Sequence, residues 1–230
     1  MISSAGALLG PTPPGSPYLE AYRALRTVML TEQRREPFKS LLITSPRYSD
    51  GKTTVGLNLA TVFALAGHDT VFVDADLRRR GLGSGLQVDE GPGPFLADYL
   101  SGAAASWRAS ESGVPRLRLI SSGGPTDMAP ELLGSARMSG LLEELREATE
   151  FIIMDSPPLA AYVDGLVLSG VVDRVILVVV AGSRGDLERR AVQALQDADA
   201  RLLGLVVNGI TTGHAAGQYE YYSYGTYTRQ

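Results

Sequence analysis

The sequence predicts an α/β fold, with a mainly parallel central sheet covered by helices on both faces. Three observations carry this reading. Short apolar runs recur along the chain, at Ser40–Thr44, Thr70–Asp74, Leu117–Ile120, Phe151–Asp155, Arg174–Val180 and Leu203–Asn208. They are apolar almost throughout, instead of alternating with polar residues, as strands buried on both faces must be. Segments of helical periodicity separate them, and strand–helix–strand repeats build parallel sheets. A chain of 230 residues is long enough to bury such a three-layer core as one domain.

In chain order, residues 1–17 are rich in Gly, Pro and Ser and are expected to form an extended or mobile leader. Tyr18–Gln33 places Leu19, Tyr22, Leu25, Met29 and Leu30 near a 3.6-residue period, which predicts a helix. The strand Ser40–Thr44 follows Pro37 and leads into a helix over Thr53–Ala66. After Thr70–Asp74, the glycine-rich stretch Gly81–Gly93 reads as a surface loop, then a helix over Gly93–Ser101 and a second loop over Ala103–Gly113. Helices over Ser135–Thr149, Tyr162–Gly170 and Asp186–Ala198 alternate with the remaining strands. A main domain over 18–218 is thus expected between the leader and a distinct tail over 219–230.

Composition removes several classes of function. A net charge of -4 gives no general attraction to nucleic acid or acidic lipid. The absence of cysteine excludes disulfides and thiolate metal sites, which fits the cytoplasm. His68 and His214 lie too far apart in sequence to suggest a histidine-rich metal site. The longest apolar run, Val175–Ala181, is far shorter than the roughly 20 residues that span a bilayer. No signal peptide is read at the N-terminus. Membrane association is therefore expected only through a partner.

The first strand opens the chemistry. Leu41–Ser45 followed by Pro46–Thr54 has the strand–loop–helix order of a phosphate cradle, in which loop N–H groups and a helix N-terminus face the phosphates. Ser49, Asp50, Gly51, Lys52, Thr53 and Thr54 are the candidate nucleotide-binding residues. Lys52 would bring positive charge to the terminal phosphates, and the Thr53 hydroxyl could ligate Mg²⁺. A lysine at an ordinary helix start is the plainer alternative for Gly51-Lys52-Thr53 taken alone.

Two further strands end in carboxylates. Val71-Phe72-Val73 runs into Asp74 and Asp76, and ligands of open α/β sheets bind beyond the carboxyl ends of strands. Phe151–Met154 ends at Asp155, the Walker B arrangement that holds Mg²⁺ through water, and Pro157-Pro158 then turns the chain out of the strand. Together with the loop, these segments predict a P-loop NTPase fold that uses ATP and Mg²⁺. Asn208 closes the last strand and is a candidate adenine contact or a simple strand-end cap. Glu131 and Asp164 read as cap or surface residues.

The last segment is unlike any core element. Tyr219, Tyr221, Tyr222, Tyr224 and Tyr227 crowd into residues 219–230, interrupted by small polar residues and Gly225. A phosphate-donor site and a cluster of phenols on one chain suggest a kinase that phosphorylates its own tail.

With these motifs in order, the chain resembles the bacterial tyrosine kinases, a branch of the MinD/ParA-like P-loop ATPases. The resemblance runs from about Tyr18 to the end. It rests on Glu20-Ala-Tyr-Arg23-Ala-Leu-Arg26, the P-loop, Asp74-Ala-Asp76-Leu-Arg78 and the tyrosine cluster, with Ala129–Leu133 and Asp155–Pro158 in support. It implies a homo-oligomeric ring, possibly an octamer, contacted through Glu20, Arg23 and Arg26 on a helix over 18–36. It implies phosphorylation in trans, one subunit's tail entering its neighbour's site. In that scheme Lys52 neutralises the β- and γ-phosphates, and Asp74 orients or deprotonates the acceptor phenol. Thr53, Asp76 and Asp155 hold the metal and its waters, and Arg78 meets transition-state charge or a subunit contact. The resemblance also implies a transmembrane activator of the polysaccharide co-polymerase kind, a cognate tyrosine phosphatase, a place at the inner face of the cell membrane, and control of capsular or extracellular polysaccharide.

The chain departs from the family in places. Tyr48-Ser49 stands where the family loop has Pro-Gly, and Arg78-Arg79-Arg80 lacks the proline that often follows. Arg47 occupies the position where MinD/ParA relatives keep a lysine that reaches across a dimer. A switch ATPase of the MinD/ParA type, with water as acceptor, and a pseudokinase scaffold are the competing readings.

Overall fold

A computed structural model of the chain describes residues 16–79, 82 and 93–210. Within them, α1 (Pro17–Arg35) precedes β1 (Ser40–Thr44), α2 (Lys52–Leu65) and β2 (Thr70–Asp74). Then come α3 (Leu96–Leu100), β3 (Ser110–Glu111), β4 (Leu117–Ile120), α4 (Ala129–Leu133) and α5 (Ala136–Ala148). The last elements are β5 (Phe151–Asp155), α6 (Asp164–Ser169), β6 (Arg174–Val180), α7 (Asp186–Asp197) and β7 (Leu202–Asn208).

The strands form one seven-stranded sheet in the order β3-β4-β2-β5-β1-β6-β7. All pairings are parallel except β3 with β4. The chain leaves β1 in one direction to build β2, then returns past it to β6 and β7. The carboxyl end of β1 is therefore the point at which strand order reverses, where this class of sheet opens its binding crevice.

Alternation along the central strands divides the interior into two layers. Leu42, Val71, Val73, Ile152, Met154, Val175 and Leu177 face α3 to α7, whereas Leu41, Ile43, Phe72, Ile153, Ile176 and Val178 face α2 and α1. Helix α2 is buried at every position from Val55 to Ala64, because the sheet covers one side and α1 the other. Leu19, Tyr22 and Met29 of α1 supply that outer cover. Near the C-terminal end of α2, the Arg26 guanidinium donates to the Val62 carbonyl at 2.9 Å, a position that favours positive charge.

Five strands begin and end where the sequence placed them, and β7 starts one residue earlier. Two elements correct the sequence reading. Ser110–Glu111 pairs antiparallel with β4 inside the expected loop 103–113. Ala129–Leu133, unassigned from the sequence, is a short helix. Pro17, expected in the leader, opens α1 instead, as its fixed φ and missing N–H permit. Residues 1–15 of that leader, most of the loop 81–93 and the tyrosine cluster lie outside the described residues. Among those described, no helix is long and apolar enough to cross a membrane.

Candidate nucleotide and phosphotransfer site

The loop between β1 and α2 is held from several sides. Ser45 Oγ donates to the Arg47 carbonyl at 2.7 Å, and the Arg47 N–H donates to Asp50 Oδ2 at 2.8 Å. From the far end of the chain, Asn208 Nδ2 donates to the Asp50 carbonyl at 2.9 Å. Ser49 has a φ of 65° and Gly51 one of 89°. Serine in this left-handed region costs on the order of 1–2 kcal/mol, which these bonds offset. Gly51 has no substitute, since a Cβ there would lie 2.2 Å from Asn208 Nδ2.

Lys52 opens α2 with its ammonium between two carboxylates, 3.6 Å from Asp76 Oδ2 and 3.7 Å from Asp155 Oδ2. Burial works against the charged lysine, but Asp155, Asp76 and Asp74 outweigh it and hold its pKa above the ordinary value. Thr53 Oγ1 donates to Asp155 Oδ2 at 2.5 Å. Asp74 and Asp155 are register partners on adjacent strands, so their carboxylates emerge side by side. Ser122 Oγ donates to Asp74 Oδ2 at 2.8 Å, and the Asp76 N–H donates to Asp74 Oδ1 at 3.1 Å. Burial, reinforced by the charge on Asp155, pushes Asp74 up to about 7. Burial likewise raises Asp155 to about 6, with Lys52 and Thr53 opposing.

The donor set fits a magnesium ion. Asp155 Oδ1 is buried and has no hydrogen-bond partner, while its other oxygen touches the Thr53 hydroxyl. Among the described residues no group of three or more His, Cys, Asp or Glu is arranged to hold a metal alone.

The sequence missed the partner of Arg78. Its Nε donates to Asp164 Oδ2 at 2.8 Å and its Nη2 to Asp164 Oδ1 at 3.0 Å. Asp164, expected as a cap or surface residue, is fully buried. The Arg78 guanidinium also lies 4.6 Å from the centre of the Tyr162 ring. No spacing rule links positions 78 and 164; an aspartate at the first position of a short helix reads as a cap. Arg47 is likewise engaged within its own chain, 2.8 Å from Glu188 Oε1.

The remaining candidates are dispersed. Thr54 follows Thr53 in the first turn of α2. On α1, Glu20 and Arg23 pair with each other at 2.6 Å, while Arg26 turns inward to α2. Tyr219, Tyr221, Tyr222, Tyr224 and Tyr227 lie outside the described residues.

No protein-family profile matches the chain. Tyrosine-protein kinase YwqD of Bacillus subtilis is 31% identical over 216 residues, covering 94% of this chain and 90% of YwqD. Tyrosine-protein kinase CpsD of Streptococcus agalactiae is 30% identical over 213 residues, covering 92% and 90%. Among solved structures, the kinase domain of Escherichia coli tyrosine kinase ETK superposes with a TM-score of 0.80 at 30% identity, over 86% of this chain and 78% of that one. MinD of Pyrococcus horikoshii, complexed with Mg-ADP, shares the fold at a TM-score of 0.61 and 19% identity, over 74% and 69%. A P-loop at the sheet's reversal point, carboxylates closing the adjacent strands β2 and β5, and relatives matched over nine-tenths of their length lead to one conclusion: the chain belongs to the bacterial tyrosine-protein kinases.

Proposed function

We propose that this protein-tyrosine kinase transfers the γ-phosphoryl group of ATP to tyrosines of its own C-terminal cluster, one subunit acting on another. The observation that carries the chemical assignment is the position of Asp74, buried at the carboxyl end of β2 in register with Asp155, where burial also pushes its pKa up to about 7. A base poised near neutrality can take the proton of a phenol whose ordinary pKa is about 10.

The residues divide the work as follows. The loop from Ser49 to Thr54 binds the phosphates through its N–H groups, and Lys52 leaves its carboxylate neighbours to meet the β- and γ-phosphates. Asp74 orients the acceptor hydroxyl and accepts its proton. The phenolic oxygen then forms a bond to the γ-phosphorus as the bond to the β,γ-bridging oxygen breaks, and ADP leaves. Thr53, Asp155 and Asp76 would hold Mg²⁺ and its waters, which would supply the charge neutralisation that the phosphates need. Arg78, tied to Asp164, serves as a positioning residue that fixes the segment after Asp76. Asn208 supports the loop through the Asp50 carbonyl and stands at the strand end where the nucleotide base would reach.

The wider setting follows from family membership and belongs to the same proposal. Subunits assemble into a ring through α1, with Glu20 and Arg23 outermost. A transmembrane activator holds the kinase at the inner face of the membrane, a tyrosine phosphatase reverses the reaction, and the cycle controls export of a surface polysaccharide. Each phosphate adds about -1.5 to -2 charges, so a fully phosphorylated ring is expected to loosen. The kinase names of the matched relatives favour this reading over a switch ATPase.

Intact mass before and after incubation with MgATP tests the proposal. Additions of one to several phosphates, lost when residues 219–230 are removed and absent in Lys52→Met, support it. ATP hydrolysis without any added mass would overturn it.

A further inference from the structure

Two departures of this chain from its family's motifs meet in space. Tyr48 stands in the phosphate loop, and Arg79 belongs to the basic run that lacks its proline. The Arg79 guanidinium lies 3.9 Å from the centre of the Tyr48 ring. Tyr48 also lies beside Tyr162, whose ring in turn faces the Arg78 guanidinium. Two further arginines at this rim are neutralised, Arg47 by Glu188 and Arg78 by Asp164. Arg79 is exposed, and among the described residues no carboxylate pairs with it. Among the described residues, the rim thus carries a guanidinium held by an aromatic ring and paired with no carboxylate.

We infer that Arg79, oriented by Tyr48, selects the acceptor segment by binding an acidic side chain next to the tyrosine that receives the phosphate. A guanidinium laid on a ring offers its N–H edge to a carboxylate and its free face to a second aromatic ring. An acceptor combining tyrosine with an acid satisfies both. The chain's own tail has that composition, with Glu220 between Tyr219 and Tyr221 and no other acid among residues 211–230. Lys52 and the loop N–H groups serve the nucleotide phosphates, which leaves Arg79 for the acceptor. The inference rests on the tail being the acceptor.

The test pairs two full-length copies. The enzyme copy carries Phe at the five tail tyrosines, and a nitrogen-15-labelled Lys52→Met copy with native tail is the acceptor. Arg79→Glu in the enzyme is expected to lower kcat/KM for the acceptor about tenfold or more, while KM for ATP stays within about twofold. Glu220→Arg in the acceptor should recover most of that loss against Arg79→Glu, and should itself be phosphorylated poorly by the native enzyme. Tyr48→Ala should reproduce a smaller loss that Tyr48→Phe does not. A rise in KM for ATP that accounts for the whole loss would assign Arg79 to the nucleotide and overturn the inference, as would indifference to the charge at position 220. Failure of the tail reading shows separately, as a native pair that phosphorylates tyrosines elsewhere and leaves the tail unmodified.

Discussion

Arg78 and Asp164 form a two-pronged ion pair, at 2.8 and 3.0 Å, in which the carboxylate is wholly removed from water. It ties the segment after β2 to the start of α6 and so fixes the approach to Asp74 and Asp76. Removing one member of a buried pair leaves the other charge without a partner, at a cost of about 3–5 kcal/mol. Asp164→Ala is expected to lower unfolding free energy by that amount in urea titration. Arg78→Lys should recover little, because an ammonium cannot reproduce the fork.

The carboxylates of the site make stability depend on pH in a stated direction. Burial holds Asp74 at about 7 and Asp155 at about 6, against about 3.9 for an unfolded aspartate. The folded form binds these protons more tightly, so the contribution is complete below about pH 4 and is lost as pH rises through both folded values. In EDTA and without nucleotide, Tm is expected to fall between about pH 5 and pH 8, and Asp74→Asn should flatten the fall. Phosphoryl transfer should follow the opposite course, its rate rising as Asp74 loses its proton.

Gly51 and Asn208 are coupled. Gly51→Ala places a methyl group 2.2 Å from Asn208 Nδ2 at a φ of 89°, and should weaken nucleotide binding at least about tenfold. Asn208→Ala removes the bond to the Asp50 carbonyl, a loss of about 1 kcal/mol, or roughly fivefold in affinity. The double variant relieves the clash, so its loss should be smaller than the sum of the two. Fluorescent-nucleotide titration of the four proteins checks this.

Thr53 reaches Asp155 at 2.5 Å, so both are placed to act on the same ion. Thr53→Ala is expected to raise the Mg²⁺ concentration needed for half-maximal nucleotide binding about tenfold. Affinity measured in EDTA should change little.

Strands were the most legible part of the chain. Apolar runs closed by Asp74 or Asp155 mark both ends of a buried strand, and the structure keeps those limits, whereas the run closed by Asn208 is a partly exposed edge strand that starts one residue earlier. The loop and its carboxylates were equally plain, because Gly51, Lys52 and Thr53 must be contiguous to cradle a phosphate. Residues whose roles depend on distant partners were not legible. Asp164 reads as a helix cap until Arg78 is brought across the sheet to meet it. Asn208 reads as a strand-end cap or an adenine contact until β7 lies beside β6 and its amide reaches Asp50. Two-residue β3 lacks the length to give any periodic signal, and α4 is too short to show a helical stripe.

The bond from Asn208 to Asp50 joins positions 158 residues apart. During synthesis the phosphate loop therefore leaves the ribosome long before the amide that steadies it. A nascent chain that has folded through β6 still lacks this clasp, and the strained turn at Ser49 and Gly51 has nothing on that side to hold it. With about 1 kcal/mol in this bond, the loop grips nucleotide roughly fivefold more weakly until the last strand docks.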